Sequence, residues 1–268
     1  MLAALAGALV LAAAARAEMA AEEVRRIPAP EATQGVAADA THVYAVANST
    51  IAKYDKATGQ RVAVWSGDRA TFPHLNSCSV ILAELVCASS NFPQIPMAST
   101  VEVFDPAKMV HLRSIPLGRG HGSLTWVERR NGFWWACFAN YDGRGGEPGR
   151  DHRFTTLVKY DDAWREMASW RFPDTVLERF APTSSSGGAF GPDGRLYVSG
   201  HDRREVYVLE LPAQGEVLVH LATIAAPIPG QAIAWDPADP RLLWGINRAE
   251  RAMVAAQVPA LPAAGDRP

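Results

Sequence analysis

The chain of 268 residues carries no strong excess of either charge: 26 lysines and arginines against 28 aspartates and glutamates leave a net charge of −2. No basic stripe runs along any segment, so nucleic acid is not an expected partner. Long apolar runs are missing too, with one exception. Residues 2–15 are almost wholly apolar, but about 14 residues are too few to span a bilayer. The Ala15-Arg16-Ala17 that follows fits a small-x-small cleavage site. Residues 1–17 are therefore expected to be an export signal. The basic residues that usually precede such a run are absent, so an uncleaved anchor is the alternative. Nothing later reads as a membrane span. The protein is expected in the periplasm or outside the cell, free of the membrane once the signal is cleaved. No G-x-S-x-G elbow, P-loop or H-E-x-x-H is present, and no cofactor is expected.

Cysteine is scarce, three in all. Cys78 and Cys87 lie on two short β-rich runs separated by Leu82-Ala83-Glu84. If the runs pair as a hairpin, the sulfurs face each other and an oxidising compartment permits a bridge; otherwise they are two buried thiols. Cys137, in a Trp-Trp-Ala-Cys-Phe run, reads as a small core residue.

What is abundant is a repeat. Residues 120–161 hold two β-rich runs joined at Asn131-Gly132. That pair tolerates the positive φ angles of a type I′ hairpin turn. A long polar loop and a third run, Thr155-Thr156-Leu157-Val158-Lys159-Tyr160-Asp161, follow. The third run recurs as Ser49-Thr50-Ile51-Ala52-Lys53-Tyr54-Asp55 and as Ser99-Thr100-Val101-Glu102-Val103-Phe104-Asp105, with looser copies at residues 205–209 and 252–255. The spacing, about 50 residues, suits the blades of a β-propeller. Matching first and second strands can be assigned in all five units and an outer strand in the first four, so the fifth unit lacks its outer strand. Val24-Arg25-Arg26-Ile27-Pro28 resembles Leu112-Arg113-Ser114-Ile115-Pro116, an outer strand of the second unit. The expectation is an all-β, five-bladed propeller over residues 22–258, closed by the N-terminal strand pairing with the last blade, with a disordered tail over residues 259–268. A β-sandwich is the alternative. Thr175-Val176-Leu177-Glu178 reads as a capping box, opening a helix between blades three and four that either lids the channel or packs as a connector.

A propeller gathers two sets of loops at one mouth of its channel. Those loops are polar here, and convergent polar groups in a concave mouth are the default ligand site. Gln34, His74, Asn140, Arg150, Arg153, His201, Gln231 and Arg248 are the expected ligand-binding residues. The loop over residues 142–153 is the sharpest feature: arginines separated by glycines suit a carboxylate or phosphate, although a solvated, internally salt-bridged loop fits the same composition. His121, His152 and Asp142 are the candidate acid–base residues. No spacing gathers the histidines into a metal set, and no metal is expected.

Thr33-Gln34-Gly35-Val36, then Val43-Tyr44 and Lys53-Tyr54-Asp55 with Thr58-Gly59, resembles the start of the propeller-type glutaminyl cyclases, which are exported five-bladed propellers. The resemblance implies cyclisation of an amide substrate. That family carries a catalytic glutamate directly after the tyrosine of the second strand, and here the position is Ala45. Residues 140–154, 184–191 and 229–235 also look like a group of exported bacterial propellers labelled cycloisomerases. Together these features suggest an exported propeller acting on a small anionic or amide substrate by cyclisation or lactone-type isomerisation, with His121 as acid or base and Arg150 or Arg153 as anion clamp. The alternatives are a non-catalytic propeller binding a small molecule or peptide at the channel mouth, or a protein-interaction scaffold. A monomer is expected.

Overall fold

The computed structural model describes residues 19–261. Among the described residues, twenty strands form five four-stranded antiparallel sheets. The first blade is β2 (Gly35–Ala38), β3 (His42–Ala47), β4 (Thr50–Asp55) and β5 (Arg61–Ser66). The second is β6 (Leu75–Ile81), β7 (Glu84–Ser90), β8 (Ala98–Asp105) and β9 (Val110–Arg119). The third is β10 (Ser123–Arg130), β11 (Phe133–Ala139), β12 (Thr156–Tyr160) and β13 (Glu166–Arg171). The fourth is β14 (Gly187–Phe190), β15 (Leu196–Ser199), β16 (Glu205–Glu210) and β17 (Val219–Ala225). The fifth is β18 (Ala234–Asp236), β19 (Asp239–Asn247), β20 (Ala252–Gln257) and, at its outer edge, β1 (Glu22–Pro28).

The ring closes where the sequence predicts. Ile27 pairs with Met253 and Pro28 with Ala252. Lys56 of the first blade reaches Asp236 of the fifth at 2.7 Å, so a salt bridge with little exposure also spans the seam. Closure leaves the last sheet with no three-stranded open edge.

Burial follows position in the blade. The inner strand β2 is buried along its whole length, whereas the outer strands β5 and β13 alternate between exposed and half-buried residues. An inner strand is covered on both faces by neighbouring blades, and an outer one is not. Because successive side chains point to opposite faces, Val36 and Ala38 pack against the fifth blade while Ala37 packs against the second. The apolar core is therefore five clusters, one between each adjacent pair of blades.

The turns from first to second strand share a device. Asp39, Asp193 and Asp236 each accept a hydrogen bond from an aromatic side chain of the following strand: the Tyr44 hydroxyl (2.6 Å), the Tyr197 hydroxyl (2.8 Å) and the Trp244 indole (2.8 Å). Asn131 and Gly132 have φ of 52° and 80°, as a type I′ turn requires. Leu82 and Ala83 adopt the same left-handed conformation, with φ of 50° and 65°, at a cost that asparagine and glycine avoid. The strand pair they join is held covalently: Cys78 lies opposite Cys87 and the two form a disulfide. Cys137 is a buried free thiol whose pKa burial pushes up to about 12, as a core residue would show.

The helix differs from expectation in its start. Helix α1 (Asp174–Phe180) is preceded by Pro173, which makes no side-chain cap. Thr175 lies inside the first turn, where its hydroxyl meets His220 Nδ1 at 3.0 Å instead of capping. Val176, Leu177 and Phe180 are buried among Trp126 and Tyr207, so α1 packs as a connector between blades. The expected export signal lies outside the described residues. So does most of the expected tail, although Leu261 packs against the cluster of blades four and five.

Candidate functional site

The five inner strands all run from one mouth of the channel to the other. At their starts stand Gln34, Asn76, Thr125, Ser186 and Gln231, one per blade and all polar. With His74, Phe92, Tyr141, Arg144, His201 and Arg248 they line a cavity of about 270 Å³. Gln34, His201 and Arg248 also border a wider, shallower recess of about 940 Å³ beside it.

No aspartate or glutamate lines the smaller cavity among the described residues, whereas two guanidiniums do. Arg144 lies over the Phe92 ring, 5.8 Å from its centroid. Arg248 meets His201 Nε2 at 3.0 Å, and His201 Nδ1 meets Asp202 at 2.6 Å. A guanidinium only donates, so Nε2 of His201 accepts and Nδ1 carries the proton towards Asp202. His74 is buried, its Nδ1 is 3.0 Å from Asn48 Oδ1, and its ring is 5.0 Å from that of Phe92. Burial, and then the positive charges of Arg248 and Arg144, lower its pKa to about 4, so the imidazole is neutral at neutral pH. Burial likewise pushes the Tyr141 hydroxyl up to about 12. The cavity thus presents neutral hydrogen-bonding groups under a positive field.

Gln231 is its most constrained member. It is buried at 3 % exposure, has φ of 68°, and its Nε2 has no hydrogen-bond partner. Left-handed backbone at a residue with a Cβ is strained, and an unpaired buried amide donor costs about 1–3 kcal/mol. Gly230 before it is also left-handed, and a Cβ there would strike the His201 carbonyl at 2.1 Å. Two consecutive left-handed residues set the glutamine in the cavity wall.

The structure gathers Gln34, His74, His201, Gln231 and Arg248 at this cavity and leaves the other candidates outside it. Asn140 donates to the carbonyls of His121 (2.9 Å) and Phe154 (3.0 Å), pinning the long loop to the blade. Arg150 donates to the carbonyls of Gly120 and His121, so its guanidinium straps the backbone rather than facing a ligand. Arg153 pairs with Asp151 at 2.5 Å, and Asp142 with His152 Nδ1 at 2.6 Å. His121 faces Glu166 at 3.2 Å, its ring 4.8 Å from that of Phe138. Asp142, Asp151 and His152 offer donor atoms within 4.8 Å of one another, but Arg153 already occupies the Asp151 carboxylate and drives its pKa down to about 2. The acid–base and clamp roles expected of His121, Arg150 and Arg153 therefore have no counterpart in the cavity. The internally bonded form of the loop is the one observed.

Phe92, Thr125, Tyr141, Pro182 and Thr183 line the cavity without having been singled out from the sequence. Thr125 sits at a register shift between Leu124 and Trp126, and Asn76 at one between Leu75 and Cys78. Such bulges re-aim one side chain and leave no mark in a strand pattern. The arginine-glycine loop is the one signal that pointed to Arg144.

No protein-family model matches the chain, and no curated protein does. Solved structures that resemble it include one of a mitotic checkpoint complex, at 10 % identity over 96 % of this chain and 98 % of that one, with a TM-score of 0.49. Hydrazine synthase of Kuenenia stuttgartiensis matches at 11 % identity over 84 % of this chain and 83 % of that one, TM-score 0.49. The WD40 repeats of RRP9 match at 10 % identity over 84 % and 79 %, TM-score 0.46. At these values the likeness carries no function, and the propeller rests on the strand pairing described above.

Proposed function

We propose that this propeller is a ligand-binding protein that takes a small organic anion, a mono- or dicarboxylate, at the polar mouth of its channel. The observation that carries the reading is the composition of the cavity: Arg144 and Arg248 with no lining carboxylate among the described residues, and an unpartnered amide donor at Gln231. Guanidiniums pair with carboxylates in bidentate geometry, and Gln231 Nε2 offers a further donor.

Turnover is not part of the proposal. Ala45, where the cyclase pattern has its glutamate, is fully buried in the packing between the first and fifth blades and carries no proton-transfer group. His74, with a pKa of about 4, is a weak base at neutral pH. The Cys78–Cys87 disulfide supports an oxidising compartment, the periplasm or the cell exterior, as the place of work.

Calorimetric titration with acetate, succinate, glutarate and citrate tests the reading. At least one carboxylate should bind saturably. Arg248→Ala and Arg144→Ala should each weaken it by about tenfold or more, the loss expected for a charge-assisted hydrogen bond. Absence of binding across the panel, or unchanged affinity in both variants, overturns it.

A further inference from the structure

The channel has a second mouth, where the inner strands end, and each blade again contributes to it. Ala38, Val80, Glu128, Ala189 and Trp235 are among the residues lining a recess of about 340 Å³ there, within the size range of small-molecule sites. It shares no lining residue with the polar mouth. Most of its wall is small apolar side chains with the rings of Phe190 and Trp235; Ser79, Asp39 and Glu128 are the polar members.

Two carboxylates line it, and they differ. Asp39 is already satisfied: its Oδ1 accepts from the backbone N–H of Thr41 (2.8 Å) and of His42 (2.7 Å), and its Oδ2 from the Tyr44 hydroxyl. Glu128 accepts one hydroxyl, from Ser79 at 2.7 Å, and the backbone N–H of Arg129. Among the described residues no lysine, arginine or histidine forms an ion pair with it. The basic side chains near this mouth are engaged elsewhere. Arg129 pairs with Asp162 at 2.7 Å, Arg130 donates to the Gly194 carbonyl, and Lys56 pairs with Asp236. An apolar recess holding one carboxylate without a counterion is complementary to a cation with an apolar body. The state of the free group agrees: burial pushes the Glu128 carboxyl up to about 7, the mark of a charge lacking compensation.

We propose that this second mouth binds a small organic ammonium ion, a primary or secondary amine whose N–H groups meet the Glu128 carboxylate while its apolar part fills the recess. The site is separate from the anion cavity, so either proposal can fail with the other standing.

Phenethylammonium, titrated calorimetrically against the full chain, is the probe, and the neutral 2-phenylethanol is its control. The amine should bind saturably, and the alcohol about tenfold more weakly or worse, because it cannot form the ion pair. Glu128→Gln keeps an acceptor for Ser79 and should weaken amine binding by about tenfold or more. Ala40, exposed on the rim of the recess, supplies a variant that leaves the carboxylate in place. Ala40→Trp should block the amine without touching the interblade packing, and it keeps the test decisive if the glutamine variant does not fold. Absence of saturable amine binding, equal affinity for amine and alcohol, or unchanged affinity in either folded variant overturns the proposal.

Discussion

The two mouths of the channel are built from the same five strands and are chemical opposites. Where the strands begin, the lining is amide, hydroxyl, imidazole and guanidinium; where they end, it is alanine, valine and aromatic carbon around one unpaired carboxylate. Each side chain at a given rung is joined by its counterparts from the other blades, so a modest polarity gradient along one strand becomes a large difference between two cups. The ends also differ in how closely the backbones approach. At the polar mouth a Cβ on Gly35 would lie 2.5 Å from the Asn76 carbonyl oxygen, and one on Gly187 would lie 2.6 Å from the Ala232 Cα. At the far mouth the corresponding positions are alanines, Ala38 and Ala189.

The largest effect should come from breaking that close approach. Gly35→Val must push the first blade away from both Asn76 and Ala232, and backbone atoms cannot yield as a flexible side chain does. Overpacking of this kind costs about 3 kcal/mol, read as a fall in the urea midpoint at unchanged slope. A substitution tolerated without loss would mean that the polar mouth is looser than its geometry shows.

The architecture was legible because it is written several times over. The Lys-Tyr-Asp copies at residues 53–55 and 159–161 fall at the ends of the equivalent strands β4 and β12, with Asp161 just past the latter, and the orphan strand at residues 24–28 matched the missing edge of the fifth blade. The Asn131-Gly132 turn announced itself, but the Leu82-Ala83 turn, of the same conformation, could not, since neither residue favours positive φ. The site was legible only in outline. Loops that start inner strands point to the channel whatever their sequence, so Gln34, His74 and Gln231 were placed by topology alone. The arginines of the long loop were not. Arg144, Arg150 and Arg153 look alike in sequence, and the direction each takes depends on which carbonyl or carboxylate lies nearby. Glu128 escaped notice because it is followed by Arg129 and Arg130 at the end of β10, and its isolation is visible only once those neighbouring cations are seen to be paired elsewhere.

The two mouths also pull stability in opposite directions with pH, and single substitutions should separate them. His74 is the stronger case. Its pKa is about 4 in the folded protein against an ordinary histidine value of 6.5. Between these limits the unfolded chain binds a proton that the folded one refuses, so the contribution is complete above pH 6.5 and is lost as pH falls towards 4. Fully realised, that is about 3 kcal/mol. His74→Asn should remove this acid-side loss, leaving a protein whose stability declines less steeply, or even rises, as pH is lowered through that window. His220 is also shifted down by burial, but it is common to both proteins and cancels in the difference. Asp39, held near 2, titrates below the window.

Glu128 works in reverse and more weakly. Its carboxyl ionises near 7 in the fold against an ordinary glutamate value of 4.5. Here the folded protein holds a proton that the unfolded chain has released, so stability is complete below pH 4.5 and falls as pH rises through 7. Because its recess is open to water at the channel end, the realised loss should be about 2 kcal/mol, short of the full linkage value. Glu128→Gln should abolish it, making the variant gain on the wild type steadily from pH 4.5 to 7 in urea melts taken at stepped pH, and exposing the acid-side loss of His74 that the two groups otherwise mask between pH 4.5 and 6.5. If wild type and variant instead run parallel across that range, Glu128 is not an isolated carboxylate, and the chemical opposition of the two mouths reduces to a difference in side-chain size.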